Sequence, residues 1–200
     1  MMLDGALRPV KDRYLGPVVS GPVGRLHPTL LSALSLLPAV GAGIAASQQL
    51  ALVAVVLWLL SRLADGLDGA VARDRGTASD LGGFVDIVFD TIGYAAIPLG
   101  VAAGIDSRAG WIVTAVLLAT FYVNAVSWTY IAAVLEKRGS AGGVTSVVMP
   151  RGLVEGTETI VFFTLALAVP SIAVWVFGVM AAAVTVTVLE RLWWSRSVLR

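Results

Sequence analysis

Long apolar runs alternate with short polar breaks over most of the chain. The runs fall at about residues 29–47, 49–72, 82–105, 109–135, 152–170 and 171–193, each near the roughly 20 residues a helix needs to cross a bilayer. They predict an all-α fold: six transmembrane helices forming one catalytic domain over 29–200, with no room for a separate soluble domain. "GIDSRAG" and "AVPSIAV" read as short external turns. "DRGTASD" reads as a polar turn whose Thr77, Ser79 and Asp80 announce the next helix, and "EKRGSAGGVTSVVMPRG" as a longer connection. Residues 1–28 differ: Leu3, Leu7, Val10 and Tyr14 recur at helical spacing with Arg8, Lys11 and Asp12 off that stripe, which predicts a short interfacial helix on the membrane surface.

Composition makes the membrane assignment firm. Of 200 residues, 58% are hydrophobic and 14% charged, where a soluble domain carries about a quarter charged. The N-terminal charges Asp4, Arg8, Lys11, Asp12 and Arg13 adjoin no short apolar core with a cleavage site, so no cleavable signal peptide is expected and the first spanning helix serves for insertion. Placing the N-terminus in the cytoplasm puts Arg8, Lys11, Arg13, Arg25, Arg62, Arg73, Arg75, Lys137, Arg138, Arg151, Arg191, Arg196 and Arg200 on that side and only Arg108 outside. The positive-inside rule then predicts both termini to be cytoplasmic. The absence of Cys excludes disulfides, thiol nucleophiles and Cys-ligated metals. His27, beside Pro28, reads as a helix-start residue, and Trp193 and Trp194, flanked by Arg191 and Arg196, as an interfacial anchor.

Against this background "LADGLDGAVARDRGTASDLGGFVDIVFD" stands out. Asp65 and Asp68 share one helical side with Gly69 and Ala72, and Asp86 and Asp90 do the same one turn beyond Gly82. Two antiparallel helices joined by a short turn would aim all four carboxylates into one cavity near the cytoplasmic face, with small residues leaving room for something bulky. Four deep, unpaired aspartates would cost about 10 kcal/mol on insertion scales, so they require cations. Carboxylates without His or Cys suit a hard ion such as magnesium, manganese or calcium. Magnesium completes its shell with phosphate oxygens, which points to a phosphate-bearing substrate, with Arg73 as a fork-shaped phosphate ligand. Metal, arginine and a spare carboxylate together suit phosphoryl transfer.

The spacing Asp65-x-x-Asp68-Gly69-x-x-Ala72-Arg73, eight residues, then Gly82-x-x-x-Asp86-x-x-x-Asp90 resembles, without a gap, the signature of the CDP-alcohol phosphotransferase family. The resemblance implies a cytoplasm-facing enzyme of a prokaryotic cell membrane, commonly homodimeric. Such an enzyme cleaves the pyrophosphate of a CDP-alcohol, usually CDP-diacylglycerol, joins the phosphoryl-bearing part to a second alcohol and releases CMP in phospholipid synthesis. It implies two Mg2+ or Mn2+ ions held by Asp65, Asp68 and Asp86, with Asp90 as general base and a further metal contact. Asp68, Gly69, Ala72, Arg73 and Gly82 would make room for, or contact, the CDP moiety. Many relatives have Pro-Asn at the start of the first helix where this chain has Pro28-Thr29, so a nucleotide contact there would fall to Thr29.

The acceptor stays open at this point. Lys137, Arg138, Arg151 and Arg191 are candidates for binding a phosphate-bearing acceptor, whereas Glu155 and Glu158, on the same helical face as Arg151, would favour a cationic, zwitterionic or polyol acceptor. Asn124, Ser127, Thr129 and Tyr130 would either line the cavity or make interhelical hydrogen bonds. A CDP-choline or CDP-ethanolamine type of phosphotransferase with a lipid acceptor is the enzymatic alternative. A divalent-cation transporter is the non-enzymatic one, but "TIGYAAIPLGVAAG", following Asp90, offers no second acidic station along an ion path.

Overall fold

The computed structural model describes residues 28–74, 76, 79–138 and 152–199, and within these the side chains of all but 28–32, 68, 69 and 72–74. The interfacial helix expected before residue 28 lies outside the described residues, as does His27. Among the described residues the chain is all-α. Its helices are α1 (Pro28–Ser47), α2 (Ala51–Asp74), α3 (Asp80–Ile105), α4 (Arg108–Lys137), α5 (Gly156–Ala168) and α6 (Ala173–Val198), with a 3-10 turn at Pro170–Ile172 before α6.

Local chemistry accounts for the boundaries. Ser79 and Ser107 cap α3 and α4, their hydroxyl oxygens accepting from Gly82 N at 3.1 Å and Gly110 N at 3.0 Å. The chain reverses after α1 at Gln49, which adopts φ 59°, and after α3 at Asp106, with φ 46°. Gln49 Nε2 donates to the Gly104 carbonyl at 2.7 Å, tying these two turns together. The fifth helix is shorter than the expected 152–170. Residues 152–155 lead into it, and a reciprocal capping box of Glu155 and Glu158 starts the helix at Gly156, while Pro170 follows its end. Its 13 residues span about 20 Å, short of the hydrocarbon thickness of about 30 Å. Among the described residues three segments are long and apolar enough to cross a membrane: Asp80–Ile105, Arg108–Lys137 and Pro170–Val198.

Two kinds of packing hold the helices. Around α1 the contacts are made by small residues: Ala39, Ala42, Ala45 and Ala54 are buried, and a Cβ added to Gly100 would collide with the Gly43 carbonyl. Such close backbone approach is how helices associate where lipid removes the hydrophobic driving force. The rest is joined by aromatic rings, one from each of five helices. Phe163 on α5 contacts Trp58, Tyr94, Phe121 and Phe177, with ring centroids 5.5–6.3 Å apart. Leu52, Trp175, Val179 and Trp193 point outward, as expected of side chains facing lipid or its interface.

α1 packs closely along both α2 and α3. Among the described residues α2 and α3 do not pack closely on each other, although only a short turn separates them in sequence. The gap between them is bridged by side chains, and that is where the acids lie.

Candidate active site

The second half of α2 and the first half of α3 bring together Asp65, Asp86 and Asp90. Asp65 and Asp90 are 28% and 27% exposed, open enough for a substrate or an ion. Asp86 comes within hydrogen-bonding reach of Asp65. Between the helices stands Arg62, 7% exposed, its Nη1 2.7 Å from Asp90 Oδ1 and 3.6 Å from Asp65 Oδ2. The remaining residues of this motif, Asp68, Gly69, Ala72 and Arg73, belong to α2 by backbone, but their side chains lie outside the described ones, as does that of Thr29. Gly82 keeps an open side: a Cβ there would meet only its own cap, Ser79 Oγ, at 3.2 Å.

Arg62 is the member of this cluster that sequence reasoning missed, having counted only as a cytoplasmic charge. One signal was available: Trp58, Arg62 and Asp65 recur at intervals of four and three residues, so one side of α2 carries ring, cation and acid in succession. The Arg62 guanidinium carbon lies 4.7 Å from the Trp58 ring centroid and 5.4 Å from that of Tyr94, and Nη2 donates to Ser61 Oγ at 3.0 Å.

Among the described residues, three carboxylates facing one guanidinium leave two formal negative charges unbalanced. Oxygen-only donors in a partly solvated, net negative setting fit a magnesium-class or manganese ion. Among the described residues no three metal-capable side chains converge closely enough to form such a site by themselves; Arg62 stands between Asp65 and Asp90, and Asp68 is outside the set. A cavity of about 500 Å3 lies at the other end of the helices, lined by Gln49, Val101, Gly104, Pro170 and Ser171 among others, and does not coincide with the acids.

The candidate acceptor residues form two groups. Arg191 is buried, its Nη1 donating to Asn124 O at 3.0 Å, Asn124 Oδ1 at 2.8 Å and Ser127 Oγ at 2.7 Å. Asn124 and Ser127 thus make interhelical hydrogen bonds from α4 to α6. Thr129 instead bonds back to Ala125 O within its own helix, and Tyr130 is exposed. Glu155 is near enough to act electrostatically on Arg191, while Glu155 Oε1 accepts from Gly152 N at 3.1 Å and Glu158 Oε2 from Glu155 N at 3.2 Å. In the second group, Arg138 donates to the carbonyls of Val198 and Leu199 at 2.9 and 3.0 Å, closing the end of α6, and Lys137 is exposed. Arg151 lies outside the described residues. Asn124→Ala removes one acceptor from a buried guanidinium and is expected to cost about 1–2 kcal/mol, measured as a lower midpoint of thermal unfolding in detergent.

Comparisons with known proteins bear on the family and the fold. The family model of CDP-alcohol phosphatidyltransferase matches residues 25–189. The chain is 37% identical over 149 residues to the inner membrane protein YnjF of Escherichia coli, covering 71% of this chain and 69% of that one. It is 33% identical over 138 residues to the phosphatidylinositol phosphate synthase of Mycolicibacterium smegmatis, covering 64% of this chain and 59% of the relative. In fold it is similar to the Mycobacterium tuberculosis phosphatidylinositol phosphate synthase with CDP-DAG bound, at TM-score 0.72 and 22% identity over 90% of this chain and 92% of that one. The same enzyme in complex with manganese and citrate matches at TM-score 0.67 and 24% identity, over 92% and 86%. With the acids of α2 and α3 facing one another inside a matched span that takes in nearly every helix, the chain belongs to the CDP-alcohol phosphatidyltransferase family: it is an integral membrane enzyme that transfers a phosphatidyl group from a CDP-alcohol to a polar acceptor and releases CMP.

Proposed function

We propose that the donor is CDP-diacylglycerol and that a small polar alcohol receives the phosphatidyl group at the carboxylate cluster between α2 and α3. The observation that carries this reading is the meeting of Asp65, Asp86 and Asp90 from two helices in a partly open site that is net negative among the described residues. Asp65, Asp68 and Asp86, with a contact from Asp90, would hold Mg2+ or Mn2+. Bound there, such ions would screen the pyrophosphate and offset charge on the departing CMP. Thr29, Gly69, Ala72, Arg73 and Gly82 would line the CDP moiety. Asp90 takes the proton of the acceptor hydroxyl as its oxygen attacks the β-phosphorus; the bond from that phosphorus to the bridging oxygen breaks, and CMP leaves with the electron pair. Manganese and CDP-DAG in complexes of the Mycobacterium tuberculosis enzyme support the choice of ion and donor.

In the membrane we place 29–200 as one catalytic domain of six spans, with the acids at the cytoplasmic face, both termini cytoplasmic and a homodimer as the working assembly. The charge distribution of the sequence supports this orientation. Engagement of Glu155 and Glu158 in a capping box weakens the objection to a phosphate-bearing acceptor that their charges raised, and leaves Arg191, Arg151, Lys137 and Arg138 as its candidate contacts.

The test is CMP release from CDP-diacylglycerol in detergent or lipid, with magnesium or manganese. The panel comprises inositol phosphate, glycerol phosphate, serine, ethanolamine, choline and plain polyols. The expected result is release that depends on one acceptor and stops when the divalent ion is chelated. Failure with every acceptor while CDP-diacylglycerol still binds would reject this acceptor class, and failure to bind the nucleotide at all would reject the donor.

A further inference from the structure

We infer that Arg62 is a resident cation that competes with the divalent ion for Asp65 and Asp90 and so sets how tightly this enzyme binds its metal. The inference rests on the reading of the acids as a metal site. It begins with register: α2 presents Trp58, Arg62 and Asp65 on successive turns, and α3 presents Asp86, Asp90 and Tyr94 on successive turns running the other way. Where they meet, one guanidinium Nη touches an acid from each helix, at 2.7 and 3.6 Å.

An exposed arginine would swing aside when a metal arrives. Arg62 is held in place. Its side chain is 7% exposed, its guanidinium faces the Trp58 and Tyr94 rings, and its second Nη is bonded to Ser61 Oγ at 3.0 Å. None of these three restraints depends on the carboxylates, so they persist when a divalent ion takes Asp65 and Asp90 as ligands. The ion must then share its ligands with a fixed positive charge a few ångströms away. In a partly buried site that repulsion is weakly screened, and its effect is to hold metal affinity below what the carboxylates alone would reach. Arg62 is a positioning and tuning residue in this scheme; it orients Asp90 without itself touching the reacting atoms.

The experiment is a Mn2+ titration of the detergent-solubilised full chain, reading free Mn2+ by electron paramagnetic resonance, on the wild type, Arg62→Gln and Arg62→Lys. Glutamine removes the charge and is expected to tighten Mn2+ binding by about tenfold or more, while lysine, which keeps the charge, stays within about threefold of wild type. Because a buried acid left without its cation is destabilising, Arg62→Gln is prepared in the presence of Mn2+, which is expected to replace the guanidinium and raise its thermal midpoint more than that of wild type. Unchanged or weaker Mn2+ binding by Arg62→Gln, or its failure to fold even with Mn2+, would overturn the role given to Arg62 while wild-type binding leaves the metal site standing. A wild type that binds no Mn2+ would instead overturn the metal site, and the role of Arg62 with it.

Discussion

Asp90→Asn is expected to lower the rate of CMP release by about 100- to 10,000-fold, the range spanned by loss of a general base, while CDP-diacylglycerol binding stays near that of the parent. Asparagine is close in shape to aspartate but cannot accept the acceptor's proton at neutral pH. It can still accept a hydrogen bond from Arg62 Nη1, now 2.7 Å from Asp90 Oδ1, so the local geometry survives. Asp68→Asn provides the contrast: as a proposed metal and CDP contact it is expected to weaken binding and turnover together. The two effects separate in single-turnover CMP release measured beside equilibrium binding of the nucleotide. A near-normal rate for Asp90→Asn would remove the base assignment and leave Asp90 as a partner of Arg62 alone.

Gly100→Ala should be the most damaging small substitution away from the acids. The added Cβ would run into the Gly43 backbone carbonyl of α1, and backbone, unlike a flexible side chain, cannot move aside without shifting the helix. Overpacking of this kind costs about 1–3 kcal/mol, and the contact with rigid backbone places the expectation at the upper end. Gly83→Ala, with open space around its added Cβ, is the matched control, expected to be neutral or stabilising by up to about 1 kcal/mol through helix propensity. Thermal unfolding of both in one detergent decides the matter; equal midpoints would show that α1 can slide relative to α3. Because α1 packs closely on both α2 and α3, any loss in Gly100→Ala is also expected to reach turnover by separating Asp65 from Asp90.

The helices show how far a one-dimensional pattern reaches. Ser79 begins α3 as its sequence context predicts, because a cap involves residues three apart and is decided locally. α5 was expected from residue 152 and starts at Gly156, since apolar composition does not reveal where a capping box such as that of Glu155 and Glu158 places the first turn. Asn124 and Ser127 were legible as polar residues in an apolar helix, with two possible roles; only the arrival of Arg191 from α6 shows the interhelical bond.

The sequence by itself determined the chemistry available to this protein: carboxylates at helical intervals beside small residues, in a chain too apolar to leave them without cations. That much follows from the period of the helix, which every residue obeys whatever surrounds it. Which cation the carboxylates meet was decided by the tertiary structure. Arg62 reaches Asp90 because α2 and α3, each packed closely on α1, stand apart at a distance one guanidinium spans. The relative register of two helices is a property of their packing on a third, and no spacing along a single helix contains it.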